Sequence, residues 1–279
     1  MIRAAITTAA ILRRSEIVLS YFLSSLPIGQ LILLVVVMPT LVAMAAQLLI
    51  RKWAGVDKLA RNNEIAGFKF ATVGVIYAVL LAFTVIAVWE KFSEAQTAVA
   101  DEAGAISALD HFAGGDRPEA VALRTALVSY LNAAINDEWP IMAREGESPA
   151  TEHALGSLYQ AAIALGRSES SDTADMSEVF RQVDEVTADR RVRLHLATGL
   201  VPNVIWIALF MGALLTVGFT LFFGSENPIA QVSMTGVLSV LVTTGLVVIL
   251  SIDHPFTGPV YIHPEPLVSV LAEISQPPG

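Results

Sequence analysis

Four long apolar stretches, arranged as two pairs with about a hundred mostly polar residues between the pairs, constrain this chain more than anything else in it. Residues 28–50 and 68–89 form the first pair, and 199–223 and 230–252 the second. At about 1.5 Å rise per residue, each stretch is long enough to cross about 30 Å of hydrocarbon as a helix. Backbone amides have no water to bond to at that depth, so a spanning segment must satisfy them internally. No alternating strand pattern and no internal repeat emerges. The sequence therefore predicts an all-α polytopic membrane protein with four transmembrane helices and a helical soluble domain inserted between the second and third. The expected divisions are an amphipathic N-terminal segment (1–27), the first helix pair (28–89), the soluble domain (90–198), the second pair (199–252) and a C-terminal tail (253–279).

Composition agrees: 54% of residues are hydrophobic and 15% charged, whereas about a quarter of a soluble domain is charged. With no cysteine there is no disulfide framework, thiolate metal site or cysteine nucleophile. The net charge of −9 comes mainly from residues 90–189, which leaves no general basic surface for nucleic acid. The expected partners are the lipid bilayer, further copies of the chain in a homo-oligomer, and ions.

The first 27 residues superficially suggest a signal peptide, with Arg3 before an apolar run. Arg13 and Arg14 interrupt that run and no convincing cleavage site follows, so the segment reads as a membrane-surface helix. Lys and Arg near span ends are retained on the cytoplasmic side. One face would carry Arg3, Arg13, Arg14, Lys91, Arg181, Arg190, Arg191 and Arg193, and the other Arg51, Lys52, Lys58, Arg61 and Lys69. The excess places both termini and the middle domain in the cytoplasm, and a bacterial inner membrane suits this layout.

In the middle domain, Phe92, Val99, Ile106, Leu109 and Phe112 recur at helical spacing. The second span should thus continue past the membrane and stop at Gly114-Gly115. Asp116 and Glu119 suggest a capping box with Pro118 in the first turn. The helix they open carries Val121, Leu127, Val128, Leu131 and Ile135 and should stop near Pro140. Ser148-Pro149 opens a third helix, residues 166–176 resemble a mobile loop, and Val179, Phe180, Val183 and Val186 begin a fourth, expected to run through Arg190, Arg191 and Arg193 into span three.

Catalytic chemistry finds little support. His111, His153, His195, His254 and His263 are scattered without metal-ligand spacing, and no phosphate loop, dinucleotide fingerprint or nucleophile elbow is present. No enzyme activity, cofactor, catalytic residue or metal site is expected. Asp101-Glu102 and Asp137-Glu138 sit in predicted helices, where neighbours point about 100° apart, so solvated faces are the expectation. Ala208, Gly212, Thr216 and Thr220 on span three, and Thr235, Ser239 and Thr243 on span four, fall at i+4 steps. Close helix packing through small residues is the plain reading, and a polar pore wall the other. The bulky residues Val75, Val79 and Phe83 of span two share one face and are the pore-lining candidates. Gathered around an axis by several subunits, they would form a hydrophobic constriction; otherwise they face lipid or the bundle.

The segments NNEIAGFKFATVGVIYAVLLAFTVIAVWEKFSEAQTAVADEAGAISAL (62–109), DEWP (137–140), GALLTVGFTLFFG (212–224) and DHPFTG (253–258) resemble the bestrophin-like domain family of bacterial and plant membrane proteins. The likeness covers roughly residues 60–260 and extends, in layout, to true bestrophins. It implies an oligomeric anion-channel architecture whose second spans line an apolar neck, with a helical cytosolic region between spans two and three. The chain departs from that pattern in lacking the repeated aromatics of a typical neck and an acidic cluster after span four, where only Asp253 stands near the place of a calcium clasp; a helix-end cap is its plainer role. The resulting expectation is an integral membrane protein forming a bestrophin-like oligomeric ion channel. The rival is a non-conducting membrane scaffold or sensor whose helical domain binds a partner.

The orientation is testable with reporters active on one side of the membrane only. We expect periplasmic-type signal from a fusion at residue 60 and cytoplasmic-type signal at residue 150; the reverse pattern would sink the assignment.

Overall fold

The computed structural model describes residues 23, 26–61, 63–144, 146–167 and 173–276. The expected N-terminal surface helix lies almost wholly outside them, as do residues 168–172 of the expected loop. Among the described residues the secondary structure is helical throughout. The helices are α1 (Ile28–Ala54), α2 (Val56–Ala60), α3 (Asn63–Phe112), α4 (Pro118–Ala133), α5 (Trp139–Met142), α6 (Pro149–Gly166), α7 (Thr173–Leu196), α8 (Asn203–Phe219), α9 (Pro228–Ile252) and α10 (Glu265–Ile274). Four are long and apolar enough to cross a membrane: α1, α3, α8 with its terminal 3₁₀ turn (Asn203–Phe222), and α9.

The chain forms two compact units. One takes in the described residues up to Glu90 with Gly199–His254 and Gly258–Val260; the other contains Lys91–Thr198, Pro255–Thr257 and the described residues from Tyr261 on. In the first unit α1 and α8 each pack on α9. The small-residue stripe of α9 is buried there, with Thr40 Oγ1 donating to Ser239 Oγ at 3.0 Å, while Thr235 and Thr243 donate to their own backbone one turn back, at Gln231 and Ser239. These hydroxyls serve helix packing, as the i+4 spacing suggested.

In the second unit α4 packs against α6 through Leu123, Leu127 and Leu131 on one side and Leu155, Leu158 and Ala162 on the other. Val179, Val183 and Val186 of α7 join that core, and Leu267, Val270 and Ile274 of α10 bury an apolar face where the sequence had suggested only a tail.

Several local expectations are corrected. Helix α3 does end at Phe112, before Gly115 with φ +92°, but Arg117 caps α4 and no capping-box side chain bonds form; Pro118 alone supplies the start. The helical run stops at Met142, near Pro140 as expected, but it passes through that proline first. A π-helical turn, Ala134–Glu138, precedes it and carries the chain into α5. The same device, a π turn at Leu33–Val37, precedes Pro39 inside α1. A proline has no N–H to donate to the turn below and its ring crowds that carbonyl, so a widened turn there relieves both defects. Ser148 caps α6 as expected, accepting from Thr151 N. Helix α7 stops at Leu196 rather than running into α8, because Gly199 turns the chain with φ +86° and Pro202 caps the next helix.

Candidate functional site

Helix α3 is apolar around most of its circumference in its first half, so packing, not amphipathicity, sorts its faces. Tyr77, Thr84 and Val88 are buried and lie on one side. Gly212 of α8 and Gly245 of α9 leave no room for a Cβ against Tyr77 and Leu81 respectively, so these glycines permit the close approach of the three helices. Thr84 Oγ1 bonds back to Leu80 O at 2.9 Å, hiding its polarity within the helix.

The three sequence-predicted residues all lie away from that packed side: Val75 is 63% exposed, Val79 49% and Phe83 70%. At 100° per residue, Val75 and Val79 point within about 20° of the direction opposite the packed stripe, and Phe83 about 60° from it. Ile86, 54% exposed, centres on the same face and was missed because only i+4 steps were followed; a 3.6-residue repeat reaches it next.

Asp253 ends α9, and its carboxylate accepts from the backbone N–H groups of Leu200 (3.1 Å) and Val201 (2.8 Å). It therefore ties the end of α9 to the entry of α8. The His254 ring stands 3.3 Å from the other carboxylate oxygen and packs against Gly199, where a Cβ would come within 3.1 Å of the ring. Burial pushes the Asp253 carboxyl up to about 6, against the pull of the two N–H groups. The sequence marked the position, but its partners lie more than fifty residues upstream and left no local signal. Among the described residues no group of three or more His, Asp or Glu is placed to hold a metal ion.

The second unit holds the largest departure from expectation. Asp101 and Asp137 are exposed, but Glu102 and Glu138 are fully buried. Arg193 grips Glu102 with two bonds (2.7 and 3.0 Å) and reaches Glu138 at 3.0 Å. Arg190 joins Glu138 at 2.7 Å and Glu152 at 2.6 Å, and Tyr130 donates to Glu102 at 2.6 Å. The Trp139 ring lies 5.0 Å from the Arg193 guanidinium and meets Phe256 edge-on, while its N–H donates to Ile262 O. The DEWP and DHPFTG segments thus meet in space: one supplies a counter-ion and an aromatic plate, the other its ring partner. Burial, then the Glu102 charge, pushes the Tyr130 hydroxyl well above its ordinary range. Asp189 nearby is raised to about 6 by burial, then by Asp101, Glu185 and Glu102.

The profile of the Bestrophin-like domain family matches residues 37–267. No curated protein matches the sequence. Among solved structures the fold is similar to a bacterial bestrophin homolog from Klebsiella pneumoniae carrying a leucine-to-threonine mutation, with 14% identity over 85% of this chain and 95% of that one and a TM-score of 0.67. An isoleucine-to-threonine variant of the Klebsiella pneumoniae bestrophin homolog gives 14% identity, 86% and 99% coverage and a TM-score of 0.66. A further structure described as a membrane protein with a proline-to-alanine mutation gives 15%, 85% and 96%, and 0.63.

Replacing Arg193 with Met would leave Glu102 buried without its counter-ion, and breaking such a pair costs about 3–5 kcal/mol. Denaturant unfolding of the solubilised protein should show that loss, while Arg191→Met, on the exposed side of the same helix, should stay within about 0.5 kcal/mol. Equal effects would contradict the network's assigned weight.

Proposed function

Because the chain belongs to the bestrophin-like domain family, we propose that it assembles as a homo-oligomeric ion channel, with α3 of each copy lining a shared axis. One observation carries this reading: α3 packs the Tyr77, Thr84 and Val88 side against its own unit and leaves Val75, Val79, Phe83 and Ile86 exposed on the other. A ring of such side chains repels water from a narrow passage and gates by dewetting. A conducting path of this kind asks for no catalytic residue and no cofactor, only for symmetry and a controllable constriction.

In this proposal the segment between spans two and three forms a vestibule on the cytoplasmic side, where the termini also lie, and the host is the inner membrane. The support is the Lys and Arg excess on that side. Arg190 and Arg193 count toward it even though they are ion-paired in the folded protein, since acidic residues weigh little in setting topology.

Changing Val79 and Phe83 together to Ala should ease wetting and raise ion flux in liposomes. The matched change at Val237 and Leu241, exposed residues of α9, should leave flux unaltered. If the folded oligomer conducts nothing before or after either change, the channel reading fails and the scaffold or sensor takes its place.

A further inference from the structure

Helices α1 and α8 both rest on α9, and α1 meets the 3₁₀ turn Thr220–Phe222 at the end of α8. Between the two lies a cleft of about 450 Å³, walled by α1 from Leu34 to Ala46 and by α8 from Phe210 to Leu221, with Ser239 and Thr243 in its floor. Twelve helical residues span about 18 Å, so the cleft is long and narrow. Its length and apolar walls suit an extended hydrocarbon chain.

The lining selects an apolar occupant. The floor hydroxyls are already engaged, Ser239 with Thr40 and Thr243 with the Ser239 carbonyl, so water entering the cleft would find few bonding partners. Beyond the Ala46 and Leu221 end of the cleft, Arg51 reaches from α1 to the carbonyls of Ser225 and Glu226 beyond α8 and to Gln231 Oε1. All three acceptors are neutral, so no carboxylate among them offsets the guanidinium. Residues 51–61 carry four basic side chains, Arg51, Lys52, Lys58 and Arg61, and one acid, Asp57, in a chain whose net charge is −9. The local sign is opposite to that of the protein as a whole and complements a phosphate.

We propose that this cleft is a site for an anionic phospholipid, one acyl chain lying between α1 and α8 and the headgroup phosphate facing Arg51 and the basic first loop. The site is independent of whether the protein conducts ions.

Gly218 offers a clean test, because it lines the cleft and a Cβ there meets nothing within 4 Å, so a larger side chain starts into open space. The protein is reconstituted with equal amounts of phosphatidylglycerol and phosphatidylcholine, extracted in mild detergent, and its retained lipid counted by native mass spectrometry. We expect retained phosphatidylglycerol to exceed phosphatidylcholine, and Gly218→Leu to lower that retention about tenfold or more, since even two buried methylenes carry that much. Gly74→Leu on α3, equally unobstructed, should change nothing. Undiminished retention in Gly218→Leu, or no preference between the two headgroups, overturns the proposal. So does a Gly218→Leu protein that keeps its lipid but loses its oligomer, which would assign the cleft to a second copy of the chain.

Discussion

The second unit depends on how Arg193 is neutralised. A guanidinium with no exposure to solvent costs several kcal/mol to desolvate unless its donors are met by well-placed acceptors, and here they are met by Glu102 from α3 and Glu138 from the π turn before α5. Three chain segments can satisfy the charge only in one register. Arg190, one turn away, repeats the contact with Glu138 and adds Glu152 of α6. Apolar faces such as those of α4 and α6 tolerate sliding and repacking; a bidentate pair does not. The network therefore specifies the arrangement of the helical unit even where apolar burial supplies most of its stability.

Long-range pairing is also what the sequence could least reveal. Glu102 and Arg193 are 91 residues apart, and adjacent acids in a polar domain look like any solvated face. Burial distinguishes Glu102 from Asp101, and burial follows from tertiary packing. The apolar periodicities, by contrast, were legible: the extension of α3 through Ile106 and Leu109, the start of α6 at Ser148-Pro149 and the four spans all follow from local chemistry. Pro140 marks its helix stop only to within two residues, for a physical reason. Pro39 and Pro140 each follow a π turn, and a one-residue widening of the helix leaves no composition signal that distinguishes a tolerated proline from a terminating one.

The exposed face of α3 was legible in part. Bulky side chains at Val75, Val79 and Phe83 marked it, but which side faced the bundle was decided by the partners of Tyr77 and Leu81, namely Gly212 and Gly245, small residues whose role becomes visible only when the helices are in contact. Those glycines also explain why α3 can turn its β-branched and aromatic side chains outward: close approach on the other side supplies the dispersion contacts that fix the helix. Family membership and fold likeness agree with a membrane protein built on this frame, and the proposed channel rests on the claim that the outward face of α3 meets its symmetry mates around an axis.

Because the native sequence contains no cysteine, a single thiol introduced by Val79→Cys can report on that claim directly. A disulfide forms only between Cβ atoms about 3.5–4.5 Å apart, a separation that a tight ring around an axis reaches and a lipid-facing stripe does not. Oxidation in native membranes should convert Val79→Cys to covalent dimers and leave Val237→Cys, exposed on α9, as monomer. Val79→Cys that stays monomeric under oxidation, in a protein that also migrates as a single chain in mild detergent, would contradict that arrangement.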